Sequence, residues 1–278
     1  MTIPTPDDPT ALCALAEGAA RAAAPALLEA FRSDMSVSFK RDPHDVVTVH
    51  DKNAEHVISA ELQRGAPGSE ILGEETGSSG DARLRWIIDP IDGTANFARG
   101  LAYWCISIAA ELDGEVVAGV ILDPVADDLF AAGAGPATLN GAPMRSGSAR
   151  DDRSTLLTSF PGSHDVELLG AEAFALLAQI TRDYQHHHST GSGALNLAHV
   201  AAGWSDATMG FDTNPWDVAA GAHILRRAGG EYVGFRAGAR EPRPQASLDY
   251  VAWGAGGDHR ALWERVQALS APWDRLEH

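Results

Sequence analysis

The stretch Trp86-Ile87-Ile88-Asp89-Pro90-Ile91-Asp92-Gly93-Thr94 sets an apolar run directly against two acids, a proline and a glycine. Its apolar half reads as the end of a strand. Pro90 fixes the chain direction, and Gly93 lets backbone approach a ligand closely. Two carboxylates at a strand end, Asp89 and Asp92, can share hard divalent cations, which prefer oxygen donors. A helix beginning near Thr94 offers backbone N–H groups to a phosphate. Taken alone, the same residues also make an acidic turn with a helix cap at Asp92 or Thr94.

Working outward, Leu84–Ile88, Cys105–Leu112, Val116–Leu122 and Leu129–Ala132 are apolar or alternating runs. Asp113-Gly114 and Asp123-Pro124 separate them, and Asn140-Gly141 is a further hairpin signal. These residues predict a largely antiparallel sheet. Upstream, Thr10 to Ser33 reads as a helix capped by Thr10 and interrupted at Pro25. Val46–Val49 reads as a short strand, and Asp51 opens a second helix with Ala54, Val57, Ile58 and Leu62 on one face and Gly65 as its stop. The two helices would cover one face of the sheet.

Ser146 to Arg153 is small and polar and reads as a hinge. Beyond it come a strand at Thr155–Ser159, helices near Val166–Arg182 and Ala194–Ala202, and a strand near Ala207–Phe211. A helix near Val218–Ala228, strands at Tyr232–Phe235 and Tyr250–Trp253, and a helix from Asp258 complete an α/β half. Ala237–Gln245 reads as an exposed loop. The expected division is 1–148, an α+β part with the antiparallel sheet, and 149–275, an α/β part. Residues 276–278, Leu-Glu-His, resemble the start of a histidine tag.

At 278 residues the chain can bury a substantial core. No apolar run is expected to reach the roughly 18–20 residues that span a bilayer, and the acidic start lacks the look of a signal peptide. A cytoplasmic location, with no membrane partner, is the expectation. The net charge of -17 argues against sequence-independent nucleic-acid binding, which needs a basic face. It would also repel a phosphate, unless metal ions reverse the local field. Cys13 and Cys105 lie far apart and read as buried, free thiols.

Two more acidic segments accompany the central one. Gly73-Glu74-Glu75-Thr76 follows the apolar pair Ile71-Leu72, and Pro215-Trp216-Asp217-Val218-Ala219-Ala220-Gly221 places an acid at a helix mouth. Singly, the first is a solvated turn and Asp217 is an N-cap. In combination they resemble the inositol monophosphatase family of lithium-sensitive, magnesium-dependent phosphatases. The matching blocks are Gly73-Glu74-Glu75, Trp86–Phe97, and Trp216–Gly221 with Ala228-Gly229-Gly230. Thr48-x-x-Asp51-x-x-x-Glu55 lies upstream in family order, so the likeness covers residues 40 to 230.

The resemblance implies a layered αβαβα sandwich and up to three Mg2+ ions, with Mn2+ able to substitute and Li+ and Ca2+ inhibitory. Glu74, Asp89 and the Ile91 carbonyl resemble ligands of the first ion, and Asp89, Asp92 and Asp217 those of the second. Glu74 would help hold a third through water. Asp51 and Thr94 resemble the pair that orients and activates the attacking water. Lys40 stands where the family often carries a lysine near the metals. Gly93 and Thr94 would hold phosphate oxygens. A homodimer is implied as well.

Ser189-Thr190-Gly191-Ser192-Gly193-Ala194 resembles the family turn lining the alcohol, so Gly191, Ser192, Gly193 and Asp217 are the expected substrate contacts. Gly193 stands in place of the usual alanine. Gly210 stands where many relatives carry a glutamate that grips ring hydroxyls, and Asp212 could replace it only by a shift of register. His186-His187-His188 invites a zinc reading, but alternate residues of an extended segment face opposite ways, so a partly exposed strand end is expected. The reaction implied is hydrolysis of a small phosphate monoester of an alcohol or sugar, with inositol, histidinol, sugar and nucleotide phosphates all open. A non-catalytic regulatory protein is the alternative of another class.

Overall fold

The computed structural model of the chain describes residues 7–33, 37–39, 46–80, 82–149 and 151–270. Lys40 and residues 276–278 lie outside them. The first half runs α1 (Pro9–Ala30), β1 (Val37–Phe39), β2 (Val46–Thr48), α2 (Val49–Gly65), β3 (Glu70–Gly73), β4 (Gly77–Ser79), β5 (Leu84–Asp92) and α3 (Thr94–Arg99). It continues with β6 (Cys105–Leu112), β7 (Glu115–Asp123), β8 (Asp128–Ala132), β9 (Thr138–Leu139) and β10 (Ala142–Pro143). The second half has β11 (Thr155–Thr158), α4 (Ser163–Leu169), α5 (Ala171–Asp183), β12 (His186–Ser189), α6 (Gly193–Ala201) and β13 (Ala207–Gly210). Then come α7 (Pro215–Arg227), β14 (Glu231–Arg236), β15 (Ala239–Glu241), β16 (Asp249–Trp253) and α8 (Arg260–Ser270).

An eight-stranded sheet has the order β10-β9-β8-β7-β6-β5-β3-β4, and a six-stranded sheet the order β12-β11-β13-β16-β14-β15. The first is antiparallel except where β3 runs parallel to β5. The alternation of β5 explains how that sheet is covered on both sides. Leu84, Trp86 and Ile88 enter a core beneath α1 and α2, whereas Ile87 enters a second core beneath α6 and α7. A third core joins the smaller sheet to α5 and α8 through Leu156, Ile180, Val251 and Val266. The layers are therefore α1/α2, large sheet, α6/α7, small sheet, α5/α8: the αβαβα sandwich.

Several local expectations are corrected. Asp8 caps α1, accepting the Thr10 N–H at 3.1 Å, and the helix continues through Pro25. At 22 residues α1 is long and apolar enough to cross a membrane by length and composition, contrary to the expectation that no run is. Its apolar stripe is Ala16, Ala19, Ala20 and Ala23 at helical spacing, all buried in the core with α2 and the large sheet. The expected helix over 166–182 is two, broken at Gly170. The 237–245 segment is not a free loop: β15 pairs with β14, and Gln245 Nε2 donates to Glu111 at 3.0 Å and to the Gly114 carbonyl at 2.9 Å. The proposed hinge is pinned by Ser146 N–H to Ala228 O (3.0 Å) and Ala149 N–H to Asp206 (2.6 Å). The three histidines lie on β12, an outer strand of the small sheet.

Candidate active site

Asp89 and Asp92 stand three positions apart, so a regular strand would point them to opposite faces. The structure removes that conflict with a bulge. Asp89 pairs with Ser107 and Asp92 with Cys105, so β5 carries one residue more than β6 across this interval. Pro90 sits in the bulge, where its missing N–H breaks no ladder bond. The Ile91 N–H turns back to Asp89 Oδ1 at 3.0 Å. Asp217 then arrives from the first turn of α7, and the three carboxylates each offer an oxygen within 4.8 Å of one another.

Each acid is held by a separate device. Asp217 is not the N-cap of α7: Asn214 is, and Asp217, at the third helical position, accepts the Asn214 N–H through Oδ2 at 2.7 Å in a capping box. Asp92 Oδ2 accepts the Ala194 N–H at 2.7 Å and the Ser192 hydroxyl. Asp51 is the third residue of α2 rather than its opener. Its Oδ2 accepts the Thr48 N–H (2.8 Å) and hydroxyl (2.6 Å), and its Oδ1 faces the Thr94 hydroxyl at 3.0 Å. Thr94 Oγ1 also lies 2.9 Å from the Ile91 carbonyl. A hydroxyl has one proton for these two acceptors and keeps lone pairs for a water.

Glu74 joins the group from the β3 side. Its N–H donates to Ile88 O at 3.1 Å, and its carboxyl is hydrogen-bonded to Asp89. Burial pushes Asp89 well above the usual carboxylate range, and the charges of Glu74, Asp92 and Asp217 push it further. Burial likewise raises Asp92, against the lowering effect of the Ser192 hydroxyl and the Ala194 N–H. Asp217 is pushed up to about 8, first by burial and then by Asp92. Like charges crowded in a poorly hydrated place want either protons or a cation. An all-carboxylate donor set of this size fits a hard divalent ion.

A cavity of about 230 Å³ opens beside Asp92 and Asp217, lined also by Gly191, Gly193, Asn196, Gly210, Asp212, Asp165 and Tyr250. Ser192 does not reach it. Fully buried, with its hydroxyl on Asp92, Ser192 is corrected from a substrate contact to a support of that acid. Gly93 has φ +98, and a Cβ there would lie 3.0 Å from the Tyr103 carbonyl and 3.2 Å from the Gly191 carbonyl. Only glycine lets the two loops meet. At Gly210 a Cβ would lie 2.8 Å from the Tyr250 ring, so Tyr250 occupies the space a glutamate would need. Asp212 does line the cavity, with Oδ2 2.7 Å from His164 Nε2 and its N–H on Asp249 at 3.0 Å.

Asn196, Asp165 and Tyr250 were not singled out from the sequence. They come from α6, α4 and β16; Asn196 lies just past the Ser189–Ala194 turn, which is the one nearby signal, and nothing in the chain around Asp165 or Tyr250 marks them. Asn196 Oδ1 accepts the Tyr103 hydroxyl at 2.7 Å and the Thr190 hydroxyl at 2.9 Å, bracing the turn before Gly191. Both cysteines are buried and free, as expected.

The model of the inositol monophosphatase family matches residues 8–269 of this chain. A Nus factor SuhB from Xylella fastidiosa is 40% identical over 194 residues, which is 69% of this chain and 70% of that protein. Among solved structures, extragenic suppressor protein suhB from Bartonella henselae aligns with a TM-score of 0.80 at 30% identity, covering 92% of this chain and 97% of that one. The inositol monophosphatase from Anabaena (Nostoc) aligns with a TM-score of 0.78 at 30% identity, covering 94% and 98%.

Proposed function

Because the chain belongs to the inositol monophosphatase family, we propose that it hydrolyses a small phosphate monoester, using Mg2+ held by Asp89, Asp92 and Asp217 with Glu74 and the Ile91 carbonyl beside them. The observation that carries this reading is the convergence of three carboxylates within 4.8 Å next to the Asp51–Thr94 pair. Bound there, Mg2+ would neutralise the phosphate dianion and lower the pKa of an attacking water. Asp51 and Thr94 do the rest at the attacking side. Thr94 Oγ1 holds the water by a lone pair, and Asp51 Oδ1 takes up the proton relayed through that hydroxyl.

On the alcohol side, Asp165 and Asp212 line the cavity, with one carboxylate oxygen of each engaged, by the Gly162 N–H and by His164 respectively. An acceptor-rich wall suits an alcohol that brings donors, either the hydroxyls of a polyol or sugar or the ammonium of histidinol. The test is phosphate release across inositol, sugar, histidinol and nucleotide phosphates with Mg2+. Asp89→Asn and Asp217→Asn should each lose more than about a hundredfold in kcat/KM, the upper range for merely supporting groups. Wild-type rates in both variants would sink the reading.

A second reading rests on the relatives named Nus factor SuhB: a regulatory protein that works by binding a partner. Retention of a stable partner by Asp89→Asn, with no phosphate release by wild type on the whole panel, would favour it.

A further inference from the structure

Glu55 lies one helical turn after Asp51 on α2, is completely buried, and is neither among the residues lining the cavity nor one of the three clustered acids. Its carboxylate accepts the Glu75 N–H at 2.8 Å, the Thr76 N–H at 3.0 Å and the Thr76 hydroxyl. The same carboxylate is pressed against Gly73. A Cβ at Gly73 would lie 2.4 Å from the Glu55 carboxyl carbon. Glu55 therefore holds the residue before Glu74 by close packing and the two residues after it by charge-assisted hydrogen bonds. From the opposite side, the Glu74 N–H is held by Ile88 O at 3.1 Å, one residue before Asp89.

We propose that Glu55 is a positioning residue for Glu74: it fixes the 73–76 turn so that the Glu74 carboxylate faces Asp89 and completes the divalent-cation site. This rests on the metal reading above. α2 thereby sets two sides of the site, placing Asp51 against Thr94 and, through Glu55, Glu74 against Asp89. Ligand-orienting groups of this kind typically change metal affinity 10–100-fold. A glutamine at 55 keeps the shape but turns an NH2 toward at least one of three donors, so the turn cannot be held as it is.

The experiment is calorimetric titration of Mg2+ into wild type, Glu55→Gln, Thr76→Val and Asp89→Asn, with thermal melts of the metal-free proteins. Glu55→Gln should bind Mg2+ about 10–100-fold more weakly, with a raised Mg2+ half-saturation for phosphate release and kcat at saturating Mg2+ near wild type. Thr76→Val, at an exposed position, removes one of the three donors and should weaken Mg2+ about fivefold, the value of one hydrogen bond. If Glu55→Gln does not fold, Thr76→Val decides. Lower melting temperatures with wild-type Mg2+ affinity would overturn the proposal and leave Glu55 as a staple of the turn. Loss of binding only in Asp89→Asn rejects the positioning role alone, whereas wild-type affinity in Asp89→Asn rejects the metal reading as well.

Discussion

Asp51, Asp92 and Asp217 each place one oxygen, Oδ2, on backbone or hydroxyl donors that fix the side chain. For Asp51 the other oxygen is visibly assigned, since Oδ1 meets Thr94. This division explains how an acid can cap a helix and still serve a site. Thr94 has the sharper role because its hydroxyl lies between Asp51 and the Ile91 carbonyl. Thr94→Val keeps the shape and deletes the hydroxyl. The kcat for phosphate release should fall about 10²–10⁴-fold, the usual contribution of a positioned proton acceptor, while calorimetric Mg2+ affinity stays close to wild type. An unchanged kcat would remove Thr94 from the attacking side.

At the scale of elements, the site sits where strands end and helices begin. β5 delivers Asp89 and Asp92 through its bulge, and α2 and α7 deliver Asp51 and Asp217 at their third residues through capping boxes. Helix starts suit this because their N–H groups hold carboxylates without a neutralising cation. Thr48→Ala removes the cap of α2, whose hydroxyl oxygen accepts the His50 N–H at 3.1 Å. The cost should be about 0.5–2 kcal/mol, read from the urea midpoint. Activity should fall in parallel, because Asp51 loses the hydroxyl that locks it. A variant with wild-type stability and activity would contradict this account of the helix start.

For the whole molecule, the crowded acids couple stability to pH. Asp89, Asp92 and Asp217 all have folded-state pKa values above that of an ordinary aspartate, with Asp217 at about 8. A raised carboxylate favours its neutral form on folding, so the unfolded chain releases these protons first as pH rises. Without metal, these groups therefore cost no stability below pH ~4, and a penalty grows as pH rises from there, for Asp217 up to about pH 8. Mg2+ bound by the ionised acids should offset it. The Mg2+-induced rise in melting temperature should be larger at pH 8 than at pH 5; an equal rise at both would count against the acids as the binding group. The covering of the large sheet on both faces matters here too, because the α6/α7 layer is what buries Asp92 under Ser192 and Ala194.

The sequence by itself determined the strand Leu84–Ile88 that leads into Asp89-Pro90-Ile91-Asp92, the helices that begin near Asp51 and Asp217, and the family to which these acids in this order point; the structure carries that strand on through Asp92. These are local signals, written in period, cap and turn residues. Only the tertiary structure decided what those residues do together. The bulge that turns Asp89 and Asp92 to one side depends on pairing with β6. The inward role of Ser192 depends on α6 docking under β5, and the closure of Gly210 depends on Tyr250 arriving from β16. The cavity wall of Asp165, Asp212 and Tyr250 is assembled from segments far apart in the chain. Contacts between distant segments leave no periodic or turn signature. For that reason the acidic cluster was legible at Asp89 and Asp92, and the shape of the cavity beside it was not.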